Sequence, residues 1–131
     1  MTAVAYVDTS ALVKLIVEEV GSLGMARWYV GADRLLISRL GIVETHRAAA
    51  RRTNIDMIRL DRILNSIEVF ELDDQIGREA AAVGPVALRS LDAIHLATAM
   101  SLRPAIDAFV TYDDRLASAA RELGLPVVSP A

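Results

Sequence analysis

A chain of 131 residues forms one domain, residues 1–131, long enough to bury roughly two thirds of the surface its unfolded form exposes without disulfide staples. Its 53% apolar and 24% charged residues, with a mean hydropathy of +0.37, exclude a disordered or fibrous chain. The absence of cysteine excludes thiolate metal sites and cysteine nucleophiles, and a formal charge of −3, from 14 basic and 17 acidic residues, speaks against nucleic acid bound through a uniformly basic face.

Val4 to Val7 is a short apolar run with β-branched and aromatic residues, read as a strand. The apolar start lacks a basic n-region and is interrupted by Asp8, so neither a signal peptide nor a membrane span is expected, and the location is taken as cytoplasmic. Asp8-Thr9-Ser10 supplies helix-start chemistry before Ala11 to Glu19. A second helix carrying Met25, Trp28 and Tyr29 follows Gly21 and Gly24, and Leu35 to Ser38 reads as another buried strand. Helices are expected from about Leu40 to Arg52 and from Ile55 to Ser66, then a strand over Glu68 to Leu72. Asp73-Asp74 caps a helix running through Ala82, which Gly84-Pro85 terminates. Asp92 to Leu102 is apolar almost all round, as in a helix buried on two sides. Ala108 to Thr111 is a strand, Asp114 to Leu123 a helix ended by Gly124, and Pro126 to Val128 a last short strand. The fold class is therefore α/β, a short parallel sheet of four to five strands flanked by helices on both faces. Ligands in such sheets bind beyond the carboxyl ends of the strands.

Four acids stand where that rule directs attention. Asp8 follows the first strand, and an N-cap alone would explain it. Glu44 shares a helix face with Leu40, Arg47 and Arg51 at 100° per residue, and a surface pair with Arg47 is the simpler account. Asp92 lies in the first turn of the most apolar helix, where it complements the helix dipole, yet its neighbours imply partial burial and a need for a cation or donors. Asp113 and Asp114 follow the fourth strand; one can cap the next helix while the other faces the strand ends. Carboxylates converging on one pocket repel and raise one another's pKa unless cations neutralise them, and Mg²⁺ or Mn²⁺ suits an all-oxygen donor set.

In this order these residues resemble the PIN-domain family, and the flanking motifs resemble the VapC-type toxins of bacterial toxin–antitoxin pairs. The stretches that carry the likeness are Val7-Asp8-Thr9-Ser10-Ala11-Leu12, Glu44, Arg89-Ser90-Leu91-Asp92-Ala93-Ile94-His95-Leu96-Ala97-Thr98-Ala99 and Val110-Thr111-Tyr112-Asp113. The resemblance spans essentially the whole chain. It implies a Mg²⁺- or Mn²⁺-dependent endoribonuclease in which a metal-activated water attacks RNA phosphorus in line, leaving a 5′-phosphate and a 3′-hydroxyl. It further implies a homodimer neutralised by a cognate VapB-type antitoxin. Asp8, Glu44, Asp92 and Asp113 become the catalytic metal ligands, with Asp113 preferred over Asp114 on the Thr-x-Asp spacing. Thr9 or Ser10, and Thr111, become supporting hydroxyls that bond a ligand carboxylate or its water. With the four ligands set aside, 14 basic residues face 13 acids, so RNA binding is expected to depend on bound metal.

Other residues stay open between two readings. His95 is either a base or a buried, hydrogen-bonded histidine, and His46 reads as surface. Arg47, Arg51 and Arg89 either contact phosphates or pair with carboxylates. Trp28, Met25 and Tyr29 belong either to the core or to an apolar groove for an antitoxin helix. Two other functions compete: a catalytically weak antitoxin-binding module, and an unrelated α/β phosphohydrolase with Asp8 as nucleophile, although Asp8-Thr9-Ser10 lacks the second Asp that haloacid-dehalogenase-like enzymes carry two residues on.

Overall fold

The computed structural model describes residues 3–131. In chain order the elements are β1 (Val4–Val7), α1 (Thr9–Ile16), α2 (Ser22–Gly31), β2 (Arg34–Ser38), α3 (Arg39–Ala50), α4 (Met57–Asn65), β3 (Glu68–Phe70), α5 (Asp74–Ala82), α6 (Ser90–Ser101), β4 (Ala108–Val110), α7 (Asp114–Glu122) and β5 (Val127–Val128). The strands form one parallel sheet in the order β3-β2-β1-β4-β5. From β1 the chain builds outward through β2 and β3, then crosses back to lay β4 on the other side of β1. The order therefore reverses between β1 and β4, and a crevice opens at their carboxyl ends.

Alternation along the strands explains why they read as continuous apolar runs. Ala5, Val7, Leu35, Ile37, Ala108 and Val110 pack on one face against Leu12, Leu15, Met25, Leu60 and Leu64. Tyr6, Leu36 and Phe109 pack on the other against Leu96 and Ala99 of α6 and Leu116 and Ala119 of α7. The Tyr6 and Phe109 rings stack across β1 and β4, with centroids 5.5 Å apart. Each fully buried leucine, such as Leu60 or Leu96, contributes about 1.5–3 kcal/mol.

Short polar side chains start the helices: Asp8, Ser38, Asp56, Asp73 and Asp113 accept from first-turn backbone N–H groups of α1, α3, α4, α5 and α7. Helix α1 stops at Ile16 rather than Glu19 because Val17 turns to extended backbone, and β3 stops at Phe70 rather than Leu72. Helix α6 begins at Ser90, which places Asp92 within its first turn. Among the described residues no helix is long and apolar enough to cross a membrane.

Candidate functional site

A cavity of about 300 Å³ lies at the β1–β4 reversal, lined by Asp8, Thr9, Ser10, Glu44, Arg89, Ser90, Leu91, Asp92, His95 and Asp113. The four acids reach it from four places: the end of β1, α3, the first turn of α6 and the start of α7.

Asp8 is tied to β4 by its own N–H, which donates to Val110 O at 3.2 Å, and it is only 4% exposed. Its Oδ1 accepts from Ser10 Oγ at 2.6 Å and from Ala11 N at 3.0 Å, and its Oδ2 accepts from Thr111 Oγ1 at 2.6 Å. The hydroxyl protons have little choice of direction. Ser10 Oγ already accepts from Tyr112 N at 2.8 Å, and Thr111 Oγ1 from Asp113 N at 3.0 Å, so each single O–H points at Asp8. Burial pushes the Asp8 carboxyl up, and the bonds from Ser10, Thr111 and the Ala11 N–H oppose that without cancelling it. Capping α1 and lining the cavity are thus one geometry, not alternatives.

Glu44 is held from two other elements. Its Oε1 accepts from Thr9 Oγ1 on α1 at 2.8 Å and from His95 Nε2 on α6 at 2.8 Å. Burial works against its charge, but the bonds from His95 and then Thr9 prevail and hold the carboxyl below its usual range. Thr9 therefore serves Glu44 while Ser10 and Thr111 serve Asp8.

Asp92 shares none of these ties. Partial burial first, then the charge of Asp113, push its carboxyl up, with smaller repulsions from Asp8 and Glu44. Asp113 caps α7 through Oδ1, which accepts from Leu116 N at 2.9 Å, and lines the cavity as well. Asp114 is exposed and lines a separate hollow with Leu88 and Ser118. Among the described residues no three Asp, Glu or His side chains stand close enough together to chelate an ion directly. The donor set is nonetheless all oxygen and mutually repulsive, which suits a hard cation that keeps much of its water.

Arg89 is exposed at the cavity rim. Arg47 and Arg51 are exposed on α3, outside the cavity lining, and among the described residues neither forms an ion pair. His46 is exposed. Met25 is fully buried, while Trp28 and Tyr29 pack half-buried on the same core; Trp28 also edges a hollow shared with Gly24, Gly31 and Pro130.

Tyr6 is the residue that the sequence reading passed over. Taken as an apolar strand residue, it puts a fully buried hydroxyl against His95 Nδ1 at 2.7 Å and accepts from Ser38 N at 3.0 Å. The available signal was chemical: a tyrosine in a strand buried on both faces needs a partner for its hydroxyl.

The PIN domain family profile matches residues 5–122. Ribonuclease VapC35 of Mycobacterium tuberculosis is 45% identical over 130 residues, covering 95% of this chain and 96% of that protein. The crystal structure of Mycobacterium tuberculosis VapC20, a sarcin–ricin-loop-cleaving toxin, superposes with a TM-score of 0.73 at 17% identity, covering 96% of this chain and 99% of that one. VapBC2 from Rickettsia felis, solved bound to a DNA fragment from its promoter, gives a TM-score of 0.71 at 12% identity over 98% and 99% of the two chains.

Proposed function

The chain belongs to the PIN-domain family, and from that premise we propose that it is a metal-dependent endoribonuclease toxin, neutralised by a VapB-type antitoxin. The observation that carries this reading is the convergence of Asp8, Glu44, Asp92 and Asp113 on one cavity at the sheet's reversal point. Family membership also displaces the phosphohydrolase alternative. Asp8, with both oxygens accepting hydrogen bonds and nearly no exposure, is a held carboxyl rather than a free nucleophile.

Mg²⁺ or Mn²⁺ would be held by the oxygens of Asp92, Asp113, Glu44 and Asp8. When bound, such an ion supplies positive charge to phosphate oxygens and makes water a stronger nucleophile. The chain's own groups prepare for it in different ways. Three donors preset the Asp8 carboxylate, and two more turn Glu44. Asp92, disfavoured as an anion by its neighbours, gains most from a cation. Arg89 at the rim, and Arg47 and Arg51 along α3, present guanidinium groups to the RNA backbone. Hydrolysis would leave a 5′-phosphate and a 3′-hydroxyl.

The likeness to VapC35 supports the ribonuclease activity, and the shared fold of a VapBC assembly supports an antitoxin partner; a homodimer is part of the same reading. The test is cleavage of RNA by the purified chain with Mg²⁺ or Mn²⁺. Activity is expected to stop with chelator and in Asp92→Asn, and activity surviving both overturns the proposal. The lack, among the described residues, of three acids in direct chelating range favours one competitor, the catalytically weak antitoxin-binding module. No Mn²⁺ binding by calorimetry, with tight antitoxin binding, would select it.

A further inference from the structure

We propose that Tyr6 and His95 are positioning residues for Glu44: a buried hydrogen-bond relay starting at the Ser38 N–H fixes the His95 tautomer and engages one Glu44 oxygen, leaving the other for the cavity. The inference rests on the reading of Glu44 as a site acid.

The direction of the relay follows from proton counting. A backbone N–H can only donate, so the Ser38 N–H makes Tyr6 Oη an acceptor at 3.0 Å. The single phenolic proton is then free to go to His95 Nδ1, 2.7 Å away. The neighbouring Thr98 hydroxyl directs its own proton to Ile94 O at 2.7 Å and supplies none to this chain. With the phenolic proton on Nδ1's lone pair, the relay selects the neutral tautomer whose Nε2–H donates to Glu44 Oε1 at 2.8 Å. A protonated Nδ1 would instead turn the phenolic proton toward the Thr98 hydroxyl beside it, so the protonation of Nδ1 separates the two arrangements. His95 is 2% exposed and both nitrogens are engaged, so it is not a base for substrate.

Packing holds the ring in that attitude. A Cβ at Gly41 would lie 2.9 Å from His95 Cε1 and 2.5 Å from Ile37 Cδ1, so α3 approaches the imidazole as closely as glycine permits. Tyr6 meets the ring edge-on, at 74° and 5.8 Å between centroids. Tyr6 lies two residues before Asp8, and His95 three residues after Asp92. The relay thus sets Glu44 of α3 relative to the strand and helix that carry two other acids, as outer partners orient metal-binding carboxylates.

The test uses the full chain labelled with ¹⁵N. Long-range ¹H–¹⁵N correlation above the imidazole pKa is expected to show His95 with a bare Nδ1 and a slowly exchanging Nε2–H, against a rapidly exchanging signal from exposed His46. A protonated Nδ1 on His95 overturns the proposal. Calorimetry with Mn²⁺ alone then compares variants: Tyr6→Phe and His95→Phe are expected to weaken binding about 10-fold. His95→Gln, whose amide keeps one acceptor and one donor, is expected to recover most of the loss. In RNA cleavage kcat falls while KM holds. Wild-type Mn²⁺ affinity in His95→Phe overturns the relay's role. If the wild-type chain itself neither binds Mn²⁺ nor cleaves RNA, the ribonuclease reading fails, and the relay is judged separately on the apo chain. There the Glu44 carboxyl ¹³C resonance must move in Tyr6→Phe; an unmoved resonance overturns it.

Discussion

The two sides of the cavity handle negative charge in opposite ways. On the β1–α3 side, Asp8 and Glu44 receive donors from the chain, hydroxyls, a backbone N–H and an imidazole, although burial still holds Asp8 above its ordinary value. On the α6–α7 side, Asp113 has one oxygen in a helix cap and Asp92 has repulsion from the other acids. The first side holds its carboxylates in place with the chain's own donors. The second leaves its acids facing one another, the feature on which the proposed cation site rests. Where donors surround an acid, replacing it strands them and should damage the fold; where repulsion surrounds it, removing charge should relieve the fold.

The largest expected effect is common to both sides: Asp8→Asn and Asp92→Asn each lower metal-dependent cleavage at least about 100-fold, the upper range found for groups that merely support a ligand. Initial rates at saturating Mn²⁺ check this, and near-wild-type activity in either variant would remove that acid from the site.

Stability should then separate the two sides. Asp8→Asn leaves the Thr111 hydroxyl facing an amide in a buried site and is expected to cost about 1–3 kcal/mol. Asp92→Asn removes a partly buried, repelled charge and is expected to stabilise the apo chain by up to about 1 kcal/mol, screening by solvent having been allowed for. Thermal unfolding without metal decides; shifts of the same sign would break the comparison. Its pH dependence has a definite sign. The Asp92 carboxyl is raised above its ordinary 3.8 in the fold, so ionisation there costs stability, and nothing is lost below that value. Wild type and Asp92→Asn should coincide at the acid end and diverge as pH rises through the raised pKa.

Smaller effects sharpen the same contrast. Thr9→Val removes one of the two donors to Glu44 Oε1 and is expected to reduce cleavage by about 2- to 10-fold, the weight of one hydrogen bond. Arg51→Ala and Arg89→Ala should each reduce the salt dependence of RNA binding by about 0.7 in log–log slope if one phosphate is lost. An unchanged slope for Arg51, which lies outside the cavity lining, would confine RNA to the α6 rim. Least of all, Arg34→Ala at the distant β2–β3 edge breaks an exposed pair with Glu68, 2.7 Å apart, and should leave the melting temperature unchanged within error.

Much of this molecule was legible before any coordinates. Short runs such as Val4–Val7 and Ala108–Val110, alternating with helical segments, state a parallel sheet covered on both faces, because a strand between two helix layers has no polar side to show. Asp8 and Thr111 were conspicuous because polar residues directly after such strands fall at the ligand-binding edge. Helix ends were less legible: nothing local in Val17-Glu18-Glu19 announces the extended turn after Ile16.

What the sequence by itself determined was the fold class and a short set of candidate acids and hydroxyls at the strand ends and helix starts, since periodicity and residue chemistry are local properties. Which hydroxyl serves which acid was decided only in three dimensions, with Ser10 and Thr111 on Asp8 and Thr9 crossing to Glu44. So was the choice between capping and lining, because Asp8 and Asp113 each do both. The Ser38–Tyr6–His95–Glu44 relay spans β1, the β2–α3 junction and α6. Its members are separated by as many as 89 residues, and hydrogen-bond direction between them exists only once the sheet has brought their atoms within about 3 Å.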